Sequence, residues 1–396
     1  MKSLLKSLLS AIREDSARLV SLRHALHAVP EPGNQEWETA ELIRRHLGLT
    51  SHEIDTATVV HIGPVERGAV ILRAELDGLE IAEPPRHDYA STNGWMHACG
   101  HDVNMAALVG TVTALRTVED RLPVGVTAVF QPCEETYPSG ARRLVNDAER
   151  LFVNPVAAIA VHTHPRVPAN HLAVGEGTIN ASSDAFEITI EGRGGHGGYP
   201  HESDDVIGAM SATITALHQI AGRRVDPLEP VVVSVGSVHS GTAPNVLPGS
   251  ATCTGTLRAM TARSRKALQE LVEEIAAATA AAHGCRASVR LERGEPPLVN
   301  APALVEAFRR WAPQASLPTV AQFRSMGADD FSFFGEIAPT LMVFAGAPSQ
   351  FGGAHLHSPD YVPHDEAVLL AAAAYCCGVA AGYEAAVEAD GLHSLQ

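Results

Sequence analysis

The sequence predicts an α/β protein: a domain built on a mostly parallel sheet, interrupted by an inserted βαββαβ unit. Three observations predict it. Short apolar runs at 69–73 (AVILR), 124–130 (VGVTAVF), 156–161 (VAAIAV) and 340–345 (TLMVFA) are separated by helical stretches such as 102–117 and 302–312. Runs this apolar suit strands covered on both faces. Between them, residues 184–292 change to alternating strands and amphipathic helices. The length of 396 residues leaves room for two or three domains.

The elements follow in order. At the N-terminus Leu4, Leu5, Leu8, Leu9 and Ile12 share one helical face, and Lys6 breaks what would have to be the apolar core of a signal peptide. An ordinary first helix and a cytoplasmic protein are expected. The strand runs at 69–73, 124–130 and 156–161 come next. In DAFEITIE (184–191) Phe186, Ile188 and Ile190 alternate, so a strand is expected. Residues 203–222 read as a helix: Ser203 can cap it, Asp204 and Asp205 suit its first turn, and Ile207, Met210, Ile214 and Leu217 recur at helical spacing. VVVSVGSV (231–238) and SATCTGTLR (250–258) make two more strands. Residues 262–283 form a helix on Leu268, Leu271, Val272 and Ile275, stopped by Gly284, and RASVRLE (286–292) alternates again. The order is that of the split-βαβ, ferredoxin-like unit. The expected domains are 1–180 with 293–396, and the insert 181–292.

Composition narrows the partners. The content is 45% hydrophobic and 19% charged, ordinary for a chain with a large core. The net charge of −16 argues against nucleic acid and anionic membranes, which need clustered Lys and Arg. No apolar run of about 18 residues is evident, so no transmembrane helix is expected. The six cysteines have no regular spacing and read as free thiols, with Cys376 and Cys377 buried in an Ala-rich terminal helix.

Sites in open α/β sheets form beyond the carboxyl ends of strands. Glu75 and Asp77 follow the run at 69–73, Glu134 and Glu135 follow 124–130, His162 and His164 follow 156–161, and His355 and His357 follow 340–345. HACGHD (97–102) stands just before a helix. Each piece alone is weak, since a lone His or Glu-Glu pair is commonly structural or solvated. Their convergence points to a metal site. Thiolate, imidazole and carboxylate suit a divalent transition metal, zinc first. Cys99 has the lone pairs to bridge two ions. His101 reaches the same centre from a tight turn at Gly100, Glu135 and His162 complete one ion, and His357 the other. Two ions about 3.5–4 Å apart lower the pKa of a water between them and polarise a carbonyl. Of the adjacent Glu134 and Glu135, one binds metal and the other acts as general base. Spacing alone does not fix which.

These residues resemble the M20 metallopeptidases, and within them the amidohydrolase branch that cleaves N-acyl amino acids, with its hippurate and auxin-conjugate hydrolases. The matching stretches include HAVPEPGNQEWETA (28–41), LRAELDGLEIAE (72–83), MHACGHD (96–102), FQPCEE (130–135), HTHP (162–165), GRGGHGGYPH (192–201), NVLPG (245–249), GTLRA (255–259), MGADDFSFF (326–334) and HSPDYVPHDEA (357–367). The resemblance implies two divalent ions per subunit (Zn, Mn, Co or Ni), with Cys99 bridging and His101, Glu135, His162 and His357 as further ligands. It implies Glu134 as general base, Asp77 beside the ligands, and His196 on the tetrahedral oxyanion. It implies Asn245 and Arg258 on the substrate carboxylate. It gives the insert the role of lid and dimerisation domain, and it implies a homodimer or tetramer.

The chain departs from the family in places. Many relatives carry Asp at Glu75, Ala at Cys133 and His at Asn104, and Gly-rich sequence where this chain has Thr136-Tyr137-Pro138. The expected activity is hydrolysis of N-acyl amino acids to a carboxylic acid and a free amino acid. The competing readings are a metal-dependent dipeptidase or carboxypeptidase on the same scaffold, a thiol hydrolase with Cys99 as nucleophile, and a ligand-binding protein without turnover. Asp329 and Asp330 read as helix caps, with a place behind the metal ligands as the alternative, and Asp360 and Asp365 read as loop charges.

Overall fold

The computed structural model describes residues 1–48, 51–320 and 323–390 (backbone alone at 388–390). The chain forms two compact units. The first comprises residues up to Gly177, Val299–Phe323 and the chain from Asp330 onward; the second comprises Thr178–Leu298 with Arg324–Asp329.

The first unit is a mixed α/β structure on a mostly parallel sheet. Its strands Gly125–Gln131, Ala69–Glu75, Pro155–His164 and Thr340–Gly346 lie side by side in that order, all parallel. An antiparallel hairpin, His52–Ile54 with Ala57–Ile62, extends the sheet beyond Gly125–Gln131. Three of the four parallel strands are buried along their whole length, and Pro155–His164 is buried from Ala157 on. This explains why they read as near-continuous apolar runs rather than as alternation. From Ala69–Glu75 the chain crosses to the neighbour on one side, Gly125–Gln131, then returns to Pro155–His164 on the other side. That reversal leaves a crevice at the carboxyl ends of the central strands.

The helix His101–Arg116 is buried over nearly its full length. It packs on Ala69–Glu75 and against the helices Ser16–His27 and Glu366–Asp390. Leu4, Leu5, Leu8, Leu9 and Ile12 of the first helix, Lys2–Glu14, all join the same core. The terminal helix holds a stretch, Glu366–Val387, that is long and apolar enough to cross a bilayer by length and composition alone. Within this fold 78% of that window is buried. Glycines let it lie close to the sheet: a Cβ on Gly378 would come within 2.6 Å of Ile159, and one on Gly382 within 2.8 Å of Val70. Cys376 and Cys377 are buried there as free thiols.

A buried ionic cluster ties the helices to the loop before the site. Arg23 Nε donates to Asp102 Oδ2 at 2.8 Å, and Arg23 Nη1 reaches Asp365 at 2.5 Å. His27 bridges Asp102 (2.9 Å) and Glu83 (3.0 Å), and His87 joins Glu83 at 2.9 Å. Asp365 is therefore an anchor for the helix Ser16–His27 rather than a bare loop charge.

The second unit carries Ser182–Glu191, helix Val206–His218, Val231–Ser240, Ser250–Ala259, helix Ala262–Ala282 and Arg286–Arg293, a β-α-β-β-α-β order. The four strands form one antiparallel sheet in the order Val231–Ser240, Ser250–Ala259, Ser182–Glu191, Arg286–Arg293. Phe186, Ile188 and Ile190 face a core with Val206, Met210, Leu217, Leu268 and Val272. The first helix is shorter than its sequence implies. Asp205, not Ser203, caps it by accepting from Gly208 N, while the Ser203 hydroxyl donates to the Pro200 carbonyl. A separate turn, Ile220–Arg223, follows.

Burial opposes charge on His27, but the Asp102 and Glu83 carboxylates win and raise its pKa to about 9. A group raised in the fold stabilises fully below its unfolded pKa, about 6.5, and loses that contribution as pH passes its folded value. The urea midpoint should therefore fall between about pH 6.5 and about pH 9.5, and His27→Gln should flatten that fall. Equal slopes in the two proteins would contradict this assignment.

Candidate metal centre

Within HACGHD the chain turns at Gly100, a position that demands glycine. Gly100 has φ +80°, and a Cβ there would lie 2.2 Å from Thr163 Oγ1. The helix starts at His101, so Cys99 and His101 flank the turn and face one place. The Thr163 hydroxyl donates to the Cys99 carbonyl at 3.2 Å and fixes the turn against the strand Pro155–His164. His357 N donates to the Ala98 carbonyl at 2.9 Å and brings the loop after Thr340–Gly346 to the same point. His357 itself has φ +62°, an uncommon conformation for a residue with a side chain.

The side chains from four segments of the first unit converge. Cys99 Sγ lies 3.6 Å from His162 Nε2. His357 Nε2 lies 3.3 Å from Glu135 Oε1. His101 Nε2 lies 3.9 Å from Glu135 Oε1 and 4.0 Å from Glu134 Oε2. The donor atoms of Cys99, His101 and His162 lie within 4.8 Å of one another, as do those of Cys99, Glu135 and His357, and those of His101, Glu134 and Glu135. Cys99 belongs to two of these triads.

The surrounding hydrogen bonds aim the ring nitrogens. His101 Nδ1 bonds the Asp77 carbonyl at 2.8 Å, and His162 Nδ1 the Thr163 carbonyl at 2.6 Å. Each ring thereby presents Nε2 to the cluster, the arrangement found around metal-binding imidazoles. The buried His101 Nε2 has no hydrogen-bond partner among the described residues, nor does Asp77 Oδ1. The other Asp77 oxygen accepts from Glu135 N at 2.9 Å. Asp77 thus orients both a histidine and a glutamate.

Burial and charge act on these groups in opposite directions. Burial, then the Glu135 and Glu134 carboxylates, push the Cys99 thiol well above its ordinary pKa. Burial and Glu135 push Asp77 up to about 8. Glu135 goes the other way: burial opposes its charge, but the imidazoles of His357 and His101 hold it low. Glu75, at the end of its strand, resists burial because Arg73, His101 and His162 hold it at about 2. Soft sulfur, imidazole nitrogen and carboxylate facing one buried point, with an unsatisfied ring nitrogen among them, fit a divalent transition metal.

The remaining residues from the sequence reading lie in the second unit. His196, on the short strand Gly195–His196, pairs with Val246 and accepts from Gly198 N at 3.0 Å. The neighbouring Asn245 carbonyl accepts from Gly197 N at 2.9 Å. His196 and Asn245 thus share one exposed two-stranded ribbon, whereas Arg258 sits in the four-stranded sheet opposite Ser183.

The sequence favours Asp330 as a helix cap over a role behind the metal ligands, and the structure reverses that preference. Asp330 does not cap a helix from solvent. It is buried and pairs with Arg73 at 2.5 Å. The signal available was an arginine inside the apolar run AVILR, which needs a buried anion. Cys133 is buried too: it accepts from Asn34 Nδ2 at 3.0 Å and sits 3.1 Å from Thr136 Oγ1. Two of the unusual residues contact one another, Asn104 Nδ2 donating to Glu75 Oε2 at 3.0 Å. A second group of metal-capable side chains, His27, Glu83 and His87, is internally hydrogen-bonded.

Residues 71–381 match the model of peptidase family M20/M25/M40. The chain is 34% identical to an N-acetylcysteine deacetylase of Bacillus subtilis and 31% identical to an N-acetyldiaminopimelate deacetylase of Bacillus cytotoxicus. Each alignment covers 89% of this chain and 94% of the relative. Among solved structures it is similar to a dinuclear metal-binding peptidase of the M20 family from Bacillus subtilis, at 30% identity and a TM-score of 0.82, over 93% of this chain and 98% of that one. Matches of this length and identity, together with a site built from the family's chemistry, place this chain in peptidase family M20/M25/M40 as a metal-dependent amidohydrolase.

Proposed function

We propose that the chain hydrolyses the amide bond of N-acyl amino acids, releasing a carboxylic acid and a free amino acid, with Glu134 as general base. The observation that carries this reading is Cys99 Sγ shared between the His101–His162 and Glu135–His357 groups. Cys99, His101, Glu135, His162 and His357 would hold two divalent ions, Zn, Mn, Co or Ni. Bound there, such ions supply Lewis acidity at the scissile carbonyl and lower the pKa of the attacking water.

The chain's own residues do the rest. Glu134 faces the same His101 nitrogen as Glu135 does. It takes the proton from the nucleophile and returns it to the leaving amine. Asp77 holds His101 and Glu135 in register through the bonds described above. The second unit acts as a ferredoxin-like lid and dimerisation domain in a homodimer or tetramer. From it His196 donates to the oxyanion, and Asn245 and Arg258 grip the α-carboxylate, the guanidinium by two parallel bonds. The deacetylase names of the relatives support an acylated amine as substrate.

Three outcomes are expected. Dialysis against a chelator should abolish activity and lower the melting temperature by about 5 °C or more, with Mn, Zn or Co restoring both; a melting curve indifferent to chelator would contradict the site. Glu134→Gln should keep the metal content, measured by plasma mass spectrometry, and lower kcat by about 10²- to 10⁴-fold. Persisting activity would remove Glu134 from its role. In a panel of acetyl-, benzoyl- and long-chain acyl amino acids against dipeptides, the acyl compounds should have the higher kcat/KM. Faster turnover of dipeptides with a free α-ammonium would overturn the substrate class.

A further inference from the structure

We propose that Asp330 is a positioning residue for this hydrolysis: its buried carboxylate clamps both feet of the loop that carries Glu134 and Glu135. The inference rests on the reading of Glu134 as general base.

The loop leaves the strand Gly125–Gln131 and ends where the helix Gly140–Asn146 begins. Gln131 is its first foot; Ser139 and Ala141 form the second. Asp330 bonds both. Gln131 Nε2 donates to its two oxygens at 2.9 and 2.8 Å. The Ser139 hydroxyl donates to Oδ2 at 2.6 Å and Ala141 N at 3.1 Å. Ser139 in turn caps the helix by accepting from Arg142 N at 3.3 Å. Within the loop, Gly140 N donates to the Cys133 carbonyl at 2.9 Å. A Cβ on Gly140 would lie 1.7 Å from the Pro132 carbonyl oxygen, so the feet come together as closely as backbone allows.

Charge makes the clamp stiff. Asp330, Gln131 and Ser139 are buried. Arg73 stands between Asp330 and Glu75 and pairs with both. The Asp330 charge is thus compensated, and its oxygens remain strong acceptors for the loop. Glu36, which accepts from Cys133 N at 2.8 Å, and Asp77, which accepts from Glu135 N, hold the loop nearer its tip. The glutamates are set by buried carboxylates at the feet and at the middle of one short segment. A general base works only within hydrogen-bond reach of its proton, so a small drift of this segment should appear in kcat before it appears in binding.

The test compares Asp330→Asn and Ser139→Ala with the parent, alone and combined with Glu134→Gln, using metal-loaded enzyme and an acyl amino acid the parent cleaves. Asparagine keeps the shape of the side chain but replaces one acceptor oxygen with a donor facing other donors. Ser139→Ala removes one bond and carries the same test should Asp330→Asn not fold. The expected result, per metal-loaded chain, is a kcat lower by about tenfold in D330N and about threefold in S139A, with KM within about twofold. In the Glu134→Gln background these losses should shrink, because the group being positioned is gone. A purely structural role would reduce the amount of folded, metal-loaded protein while leaving its kcat unchanged; that result, or losses that stay full size in the Glu134→Gln background, would overturn the proposal. An active Glu134→Gln enzyme would instead overturn the assignment of the base on which the proposal stands.

Discussion

A thiol buried among carboxylates keeps its proton unless positive charge is brought beside it. Cys99 sits among carboxylates in the interior, and both burial and those neighbours hold its proton on. Much else near the site makes sense as a response to that constraint. The imidazoles of His101 and His162 are turned by backbone carbonyls so that Nε2 faces the sulfur's surroundings. Glu135 is placed to share the charge of an ion rather than to meet a lysine or arginine. An apolar pocket would be cheaper in desolvation energy, and the proposed ions would offset that cost.

The fold delivers these groups because parallel strands end on one side. The chain reverses direction about Ala69–Glu75, and the loops following the central strands meet over the crevice. Buried charges around and behind the candidate site tie these loops to the fold. Arg73, Glu75, Asp330, Asp102, Arg23 and His27 are all buried, and each has an opposite charge or imidazole beside it. Removing one partner from such a pair leaves an uncompensated charge, which is far costlier than losing a surface pair. Buried pairs of this kind specify one arrangement of the loops, and a site that depends on spacing of about an ångström needs that.

Much of this was legible in the sequence. The runs AVILR, VGVTAVF, VAAIAV and TLMVFA announced strands because burial on both faces forbids polar alternation. The residues that follow them are the ones the fold gathers into the candidate site, because loops after parallel strands meet at one edge. Gly100 was legible as a turn, and the structure adds the reason, the Thr163 hydroxyl where a side chain would go. Asp330 was legible only as a cap with a role near the site as the lesser alternative, since its hydroxyl partner Ser139 lies 191 residues away and an aspartate before FSFF looks like any cap. The cap at Asp205 rather than Ser203 was missed because adjacent polar residues offer equal side-chain oxygens, and backbone geometry chooses between them. The terminal helix resembles a membrane span because a central core helix meets the same demand for an apolar surface on nearly every side.

The proposed centre requires Cys99 to hold metal as a thiolate. X-ray absorption fine structure at the metal edge of the zinc-loaded protein measures this directly. One sulfur scatterer at about 2.3 Å among nitrogen and oxygen ligands at about 2.0–2.2 Å is expected, and it should vanish in Cys99→Ser. A first shell of nitrogen and oxygen alone in the unaltered protein would contradict the central claim.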